Sequence, residues 1–330
     1  MKTKLLLLLF CLSVLGAMGQ GTILRNKCKT CGKAVSQCPY KGKHPKQEPA
    51  TKPKTTPKSK PKPKFTPAPK PTPTPTPAQR VSATYQNNVL RVGNVSYRMI
   101  SVSGGTFTMG ATSEMTEMTK PDEAEKPTHQ VTLSSYYIGE TEVTQALWKA
   151  VMGSNPSHFK GDNLPVEQVS WNDCQTFIRK LNGLTGRHFR LPTEAEWEFA
   201  ARGGNQSRHT QYSGSSRIDN VAWYGGNSGS KTHPVKTKQT NELGIYDMTG
   251  NVWEWCQDWF GYYSSSAQTN PTDASSGSYH VYRGGSWGNY HVYRGGSWSN
   301  SPRVCRSSSR CSNAPDDEFS VLGLRLVLSE

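Results

Sequence analysis

The chain has 330 residues, with 39 Lys and Arg against 24 Asp and Glu, a formal charge of +15. The excess sits in the leader: residues 1–80 hold 17 basic and one acidic side chain, and the remaining 250 hold 22 and 23. A near-neutral body disfavours a nucleic-acid-binding globule, and the composition excludes collagenous, coiled-coil and multi-span membrane classes. About 240 residues can bury one substantial core, and all nine Trp lie at or after Trp148.

Met1–Gly19 combines Lys2 and Lys4, an apolar run from Leu5 to Leu15, and the small residues Ala17 and Gly19. This pattern predicts a signal peptide removed before Gln20, and hence export to a periplasm, the cell envelope or the medium. The apolar run is too short to span a bilayer comfortably, and no later segment reads as a transmembrane helix.

Residues 20–45 form a small unit containing Cys28, Cys31, Cys38 and His44. Three thiolates and one imidazole at C-x2-C-G-x5-C-x5-H spacing supply the four ligands of a structural Zn²⁺. A disulfide loop remains the alternative, because an exported chain meets an oxidising compartment. Residues 46–80 alternate Pro with Lys and Thr, and 13 of the 22 prolines fall before residue 80. This composition predicts a disordered, extended tether whose positive charge can touch acidic envelope polymers.

Residues 81–330 read as one domain. Val81–Met109 breaks into short runs bounded by Asn and Gly, which predicts hairpin strands. Thr144 opens a helix over Gln145–Met152, closed by Gly153. Ser170 with Asp173 opens a second, in which Cys174, Phe177, Ile178 and Leu181 recur at helical spacing, closed by Gly183. Thr193 with Glu196 forms a capping box for a third, which ends at Gly203-Gly204. Beyond it the chain is rich in Gly, Ser, Asn and Trp without a long periodic run. An eleven-residue tandem repeat, Tyr279–Asn289 followed by Tyr290–Asn300, is identical at ten positions. One pair is too few for a stacked-repeat fold, so a local duplication is the reading.

Several ordered motifs carry a resemblance. These are Phe107-Thr-Met-Gly110, Gly139-Glu-Thr-Glu-Val-Thr144, Pro165-Val-Glu-Gln-Val-Ser-Trp171, Arg190-Leu-Pro-Thr-Glu-Ala-Glu-Trp-Glu198, Gly244–Trp255, Arg294-Gly-Gly-Ser-Trp298 and Leu322-Gly-Leu-Arg325. Together they resemble the formylglycine-generating enzyme, or sulfatase-modifying factor, family over residues 97–328. The resemblance implies an α+β, C-type-lectin-like domain with low regular secondary structure. In active members two cysteines hold a copper ion, and O₂ oxidises a substrate Cys to formylglycine; soft thiolates suit Cu(I). Those cysteines stand three and eight residues after the Gly-Gly-Ser serine. Counting from Ser297, Asn300 takes the first position and Cys305 the second, so a two-thiolate copper site is not expected here. Ser297 would line the substrate pocket. Cys256, Cys305 and Cys311 otherwise read as structural thiols or disulfide partners.

The resemblance also implies a calcium loop, with side chains of Asp247 and Glu254 and carbonyls of Gly250 and Val252 as ligands; such oxygens suit a hard cation. A second calcium site would begin at Asn220-Val221, where the partner loop is shortened. The eight His form no H-E-x-x-H pattern, and the chain has no G-x-S-x-G elbow. Two functions follow: oxidation of a Cys in a sulfatase-type polypeptide, or a non-catalytic lectin-like module that binds an envelope protein partner. The eleven surplus residues favour Ser297 over Ser286 for the buried position, because only Ser297 reaches Cys305 at family-like spacing.

Overall fold

The computed structural model describes residues 82–116, 123–272 and 290–329. The signal segment, the zinc ligands Cys28, Cys31, Cys38 and His44, the tether and the first repeat copy lie outside the described residues. Among the described residues, no helix is long and apolar enough to cross a membrane.

The first three N-terminal runs form the hairpins that the Asn and Gly punctuation predicts, whereas the fourth pairs with a later strand in another sheet. The four are β1 (Ala83–Gln86), β2 (Val89–Val92), β3 (Val95–Val102) and β4 (Gly105–Met109). β5 (His129–Leu133), β6 (Tyr136–Gly139), β7 (Phe189–Arg190), β8 (Trp253–Trp259) and β9 (Gln268–Thr269) follow. The last strands are β10 (His291–Arg294), β11 (Arg310–Asn313), β12 (Leu322–Leu324) and β13 (Val327–Ser329). They assemble into three sheets of order β1-β2-β3-β6-β13-β7, β11-β10-β8-β12 and β4-β5-β9. The C-terminal β13 lies between β6 and β7, so the chain's end closes the sheet begun at its start.

Three helices carry the predicted caps. In α1 (Gln145–Met152) the Thr144 hydroxyl accepts the Leu147 N–H, and Gly153 closes the helix at φ 83°. In α2 (Trp171–Thr185) Ser170 and Asp173 make a reciprocal capping box. This helix passes through Gly183, the predicted stop, and ends at Gly186, whose φ of 64° permits the left-handed cap. Gly183 needs no such conformation, and Leu184 and Thr185 add a further half-turn. In α3 (Glu194–Ala201) Thr193 and Glu196 form the second capping box.

Cys174, Phe177, Ile178 and Leu181 bury one face of α2 as their spacing dictates, and Trp148 of α1 stacks on Phe177 at 4.9 Å. α3 is buried on every side, which is why its Glu residues need partners. The mixed sheets, the few helices and the long ordered loops agree with the expected α+β, lectin-like class.

Candidate functional site

The second repeat copy builds the centre of the site. β10 crosses between β8 and β11 with Tyr293 opposite Trp255 and Cys311, and it leads directly into the Gly295-Gly296-Ser297 turn. A Cβ on Gly296 would lie 2.6 Å from Cys305 Sγ, and φ there is 73°, so the turn requires glycine. Ser297 is fully buried and donates its hydroxyl to Asn300 Oδ1 at 2.7 Å. Trp298 is anchored by its indole N–H to the Ser320 carbonyl at 2.9 Å and meets Phe159 edge-on at 5.6 Å. Ser297 therefore takes the buried position expected of it, and Ser286 lies outside the described residues.

Cys305 packs with Tyr212, Ile218, Val221 and Ala222, and burial pushes its thiol up to about 12. A thiol in that environment stays protonated at neutral pH when no metal is bound, which makes it a poor nucleophile. Cys256 packs in a different cluster with Trp197 and Phe199, and Cys311 lies against a third with Trp253 and Tyr293. Cys174, Cys256 and Cys305 are free thiols. The turn thus brings together the buried Ser297, Asn300 and one thiol, and the donor set does not match a two-thiolate copper centre.

The Glu residues of α3 are held by ion pairs, two of them to arginines that are themselves buried. Arg294 is fully buried and pairs with Glu198 and, at 3.1 Å, with Glu194. It also donates to the carbonyls of Ser307 and Ser308 at 2.9 and 3.2 Å. Arg310 completes Glu194 at 2.6 Å, and Arg306 pairs with Glu125 at 2.6 Å. Each charge is compensated by several hydrogen bonds, the condition under which a buried pair is tolerated.

The predicted calcium loop is more tightly occupied. Glu254 is held by Arg325 at 2.7 Å and by the Trp197 indole N–H at 2.7 Å, so both carboxylate oxygens already accept hydrogen bonds. Asp247, at φ 59°, accepts the Lys236 N–H at 2.9 Å. Burial pushes its carboxyl above the usual range. A residue that the sequence reading missed stands beside it. Glu142 is fully buried, and neither carboxylate oxygen has a hydrogen-bond partner. Burial, and next the charge of Asp247, raise its carboxyl well above normal. Two neighbouring carboxyls, one without a partner, have the chemistry of hard-cation ligands, but among the described residues no group of three His, Cys, Asp or Glu is placed to hold a metal ion. Glu142 falls within the Gly139–Thr144 motif, but nothing in its spacing there marks a ligand.

Two further buried groups stand out. His291 is sandwiched between Trp171 at 3.9 Å and Trp259 at 3.7 Å, and burial lowers its imidazole to about 4. Glu167 accepts the Phe159 N–H at 2.8 Å while its other oxygen has no partner, and burial raises it to about 7.

This topology, with its Gly-Gly-Ser turn set over buried arginine–glutamate pairs, defines a protein of the C-type-lectin-like class. Its solved relatives include Treponema denticola variable protein 1, 34% identical with a TM-score of 0.63 over 73% of this chain and 98% of that one. The chain belongs to the sulfatase-modifying factor enzyme 1-like domain family, which matches residues 91–330. Chaperone protein LppX of Paenibacillus barcinonensis is 35% identical over 58% of this chain and 79% of its own length. The formylglycine-generating enzyme of Streptomyces coelicolor is 31% identical over 68% of this chain and 87% of its own.

Proposed function

We propose that the protein is a non-catalytic, lectin-like binding module, exported and stabilised by calcium, whose partner is a polypeptide of the cell envelope. One observation carries the reading: Asn300 stands where a catalytic member needs its first thiol, and its side chain is committed to Ser297 at 2.7 Å. The remaining thiol, Cys305, is buried among apolar side chains and protonated. The 35% identity to a protein named as a chaperone supports a role in binding rather than oxidation.

Calcium, where bound, supplies positive charge to the carboxyls of Asp247 and Glu142, with the Gly250 and Val252 carbonyls completing the oxygen set. The chain's own part is to keep Glu254 out of that set by pairing it with Arg325. The basic leader serves as a tether, and Cys28, Cys31, Cys38 and His44 hold one structural zinc.

The competing reading, oxidation of a polypeptide Cys to formylglycine, draws on Ser297 and Cys305 standing together and on the relative from Streptomyces coelicolor. A Cu(I) titration in competition with a chromogenic chelator separates the two. The body, residues 80–330, is expected to leave the chelator's copper untouched. Removal of one equivalent from the chelator would instead support the enzyme.

A further inference from the structure

The family resemblance places a second calcium at Asn220-Val221, and the residues found there do not fit it. The Asn220 carbonyl accepts the Gln239 N–H at 3.0 Å. The carbonyl of Asp219 accepts a hydrogen bond from Lys238 Nζ at 2.8 Å. The Asp219 carboxylate accepts the Tyr224 hydroxyl at 3.1 Å. Among the described residues, no group of three His, Cys, Asp or Glu is placed to hold a metal ion.

An ammonium lies against this turn. Lys238 Nζ lies 4.1 Å from the centre of the Trp223 ring, and the His233 ring stacks on Trp223 at 3.7 Å and 9°. Two groups at those distances cannot share one face, so Trp223 is sandwiched between imidazole and ammonium. The Trp223 indole N–H donates to Thr237 Oγ1 at 2.7 Å, and that hydroxyl donates to the Pro234 carbonyl at 2.8 Å. Segment 233–239 is thereby folded back on 219–224, the task a calcium ion performs when loops must be joined through oxygen ligands.

We propose that Lys238 is a built-in cation that replaces the second calcium and ties segment 233–239 to the 219–224 turn. An ammonium has three donors and no need of a full oxygen cage, so one carbonyl and one aromatic face hold it. Because it is covalently part of the chain, this junction is independent of the free calcium concentration. The inference deepens the calcium reading given above: the protein takes one calcium, near Asp247, and not two.

The test uses the chain from Gln20 to Glu330 in two arms. Calorimetric titration with calcium chloride is expected to give one site per chain, and two sites would overturn the proposal. In the second arm, Lys238→Met keeps the aliphatic stem and removes the charge. Its melting temperature is expected to fall by about 5 °C, equally in calcium and in chelator, from the lost cation–π contact and charge-assisted hydrogen bond. An unchanged melting temperature would show that the stem alone does the packing and would overturn the proposal. Recovery of the lost stability by calcium would also overturn it, since a metal could then enter the site. Zero bound calcium would remove the Asp247 reading alone, and the Lys238→Met arm would still decide this one.

Discussion

Acidification should weaken the body through His291, and the effect can be isolated. The imidazole lies flat between Trp171 and Trp259, and its Nδ1 faces the carbonyls of Gln257 and Asp258, each at 3.1 Å. Nε2 is buried without a partner, so a proton added there gains no acceptor and loses its hydration. Burial lowers the folded value to about 4 from an ordinary 6.5. The unfolded chain therefore takes up a proton below pH 6.5 that the folded chain refuses until about pH 4. The contribution is fully present above pH 6.5 and lost as pH falls through that window. A shift of this size is worth about 3 kcal/mol. Buried carboxyls such as Glu142 act in the opposite sense, so a single pH curve would mix the two. Comparing wild type with His291→Phe removes that ambiguity, because the ring stack persists and the titration does not. Urea unfolding at pH 7 and pH 4 should show the stability difference between the two proteins changing by about 3 kcal/mol in favour of the variant on acidification. Parallel pH curves for the two proteins would refute the reasoning.

Glu167→Gln should act with the reverse sign: the raised carboxyl favours folding below pH 4.5 and penalises it as pH rises through 7, so the variant should gain stability at pH 8 and little at pH 4.5, read by urea unfolding. Arg294→Met leaves Glu194 and Glu198 short of their shared buried partner and should cost about 3–5 kcal/mol, measured by the same denaturation. Deleting Tyr279–Asn289 should preserve or raise the melting temperature, because Tyr290–Asn300 already supplies the buried strand and turn; loss of folding would show that the wrong copy had been assigned.

The helices were legible because their signals are local. Thr144, Ser170 and Thr193 cap at the predicted positions, since a hydroxyl and the third amide of a helix are neighbours in any fold. The C-terminal boundary of α2 was misread, because Gly183 and Gly186 look alike in sequence and only the second has a left-handed backbone. β8 was not predicted at all: Trp253-Glu-Trp-Cys-Gln-Asp-Trp259 is paired on both sides and buried at its start, so the alternation that marks a half-exposed strand is missing. The motifs themselves were visible, but not what their charges do. Arg294 meets Glu194 and Glu198 across about a hundred residues of chain, and Arg325 reaches Glu254 across 71 residues in the same way. Glu142 and Lys238 owe their surroundings wholly to tertiary contacts, which no local spacing encodes.

The central claim is that a single protonated thiol beside Asn300 leaves this family member a binder and not an oxidase. Incubation of the body, residues 80–330, with Cu(I), O₂ and a Cys-x-Pro-x-Arg peptide tests it most directly, with mass spectrometry to detect conversion of the cysteine to an aldehyde. The peptide is expected to be recovered with its thiol intact, and catalytic formation of formylglycine by the unmodified chain would contradict the account.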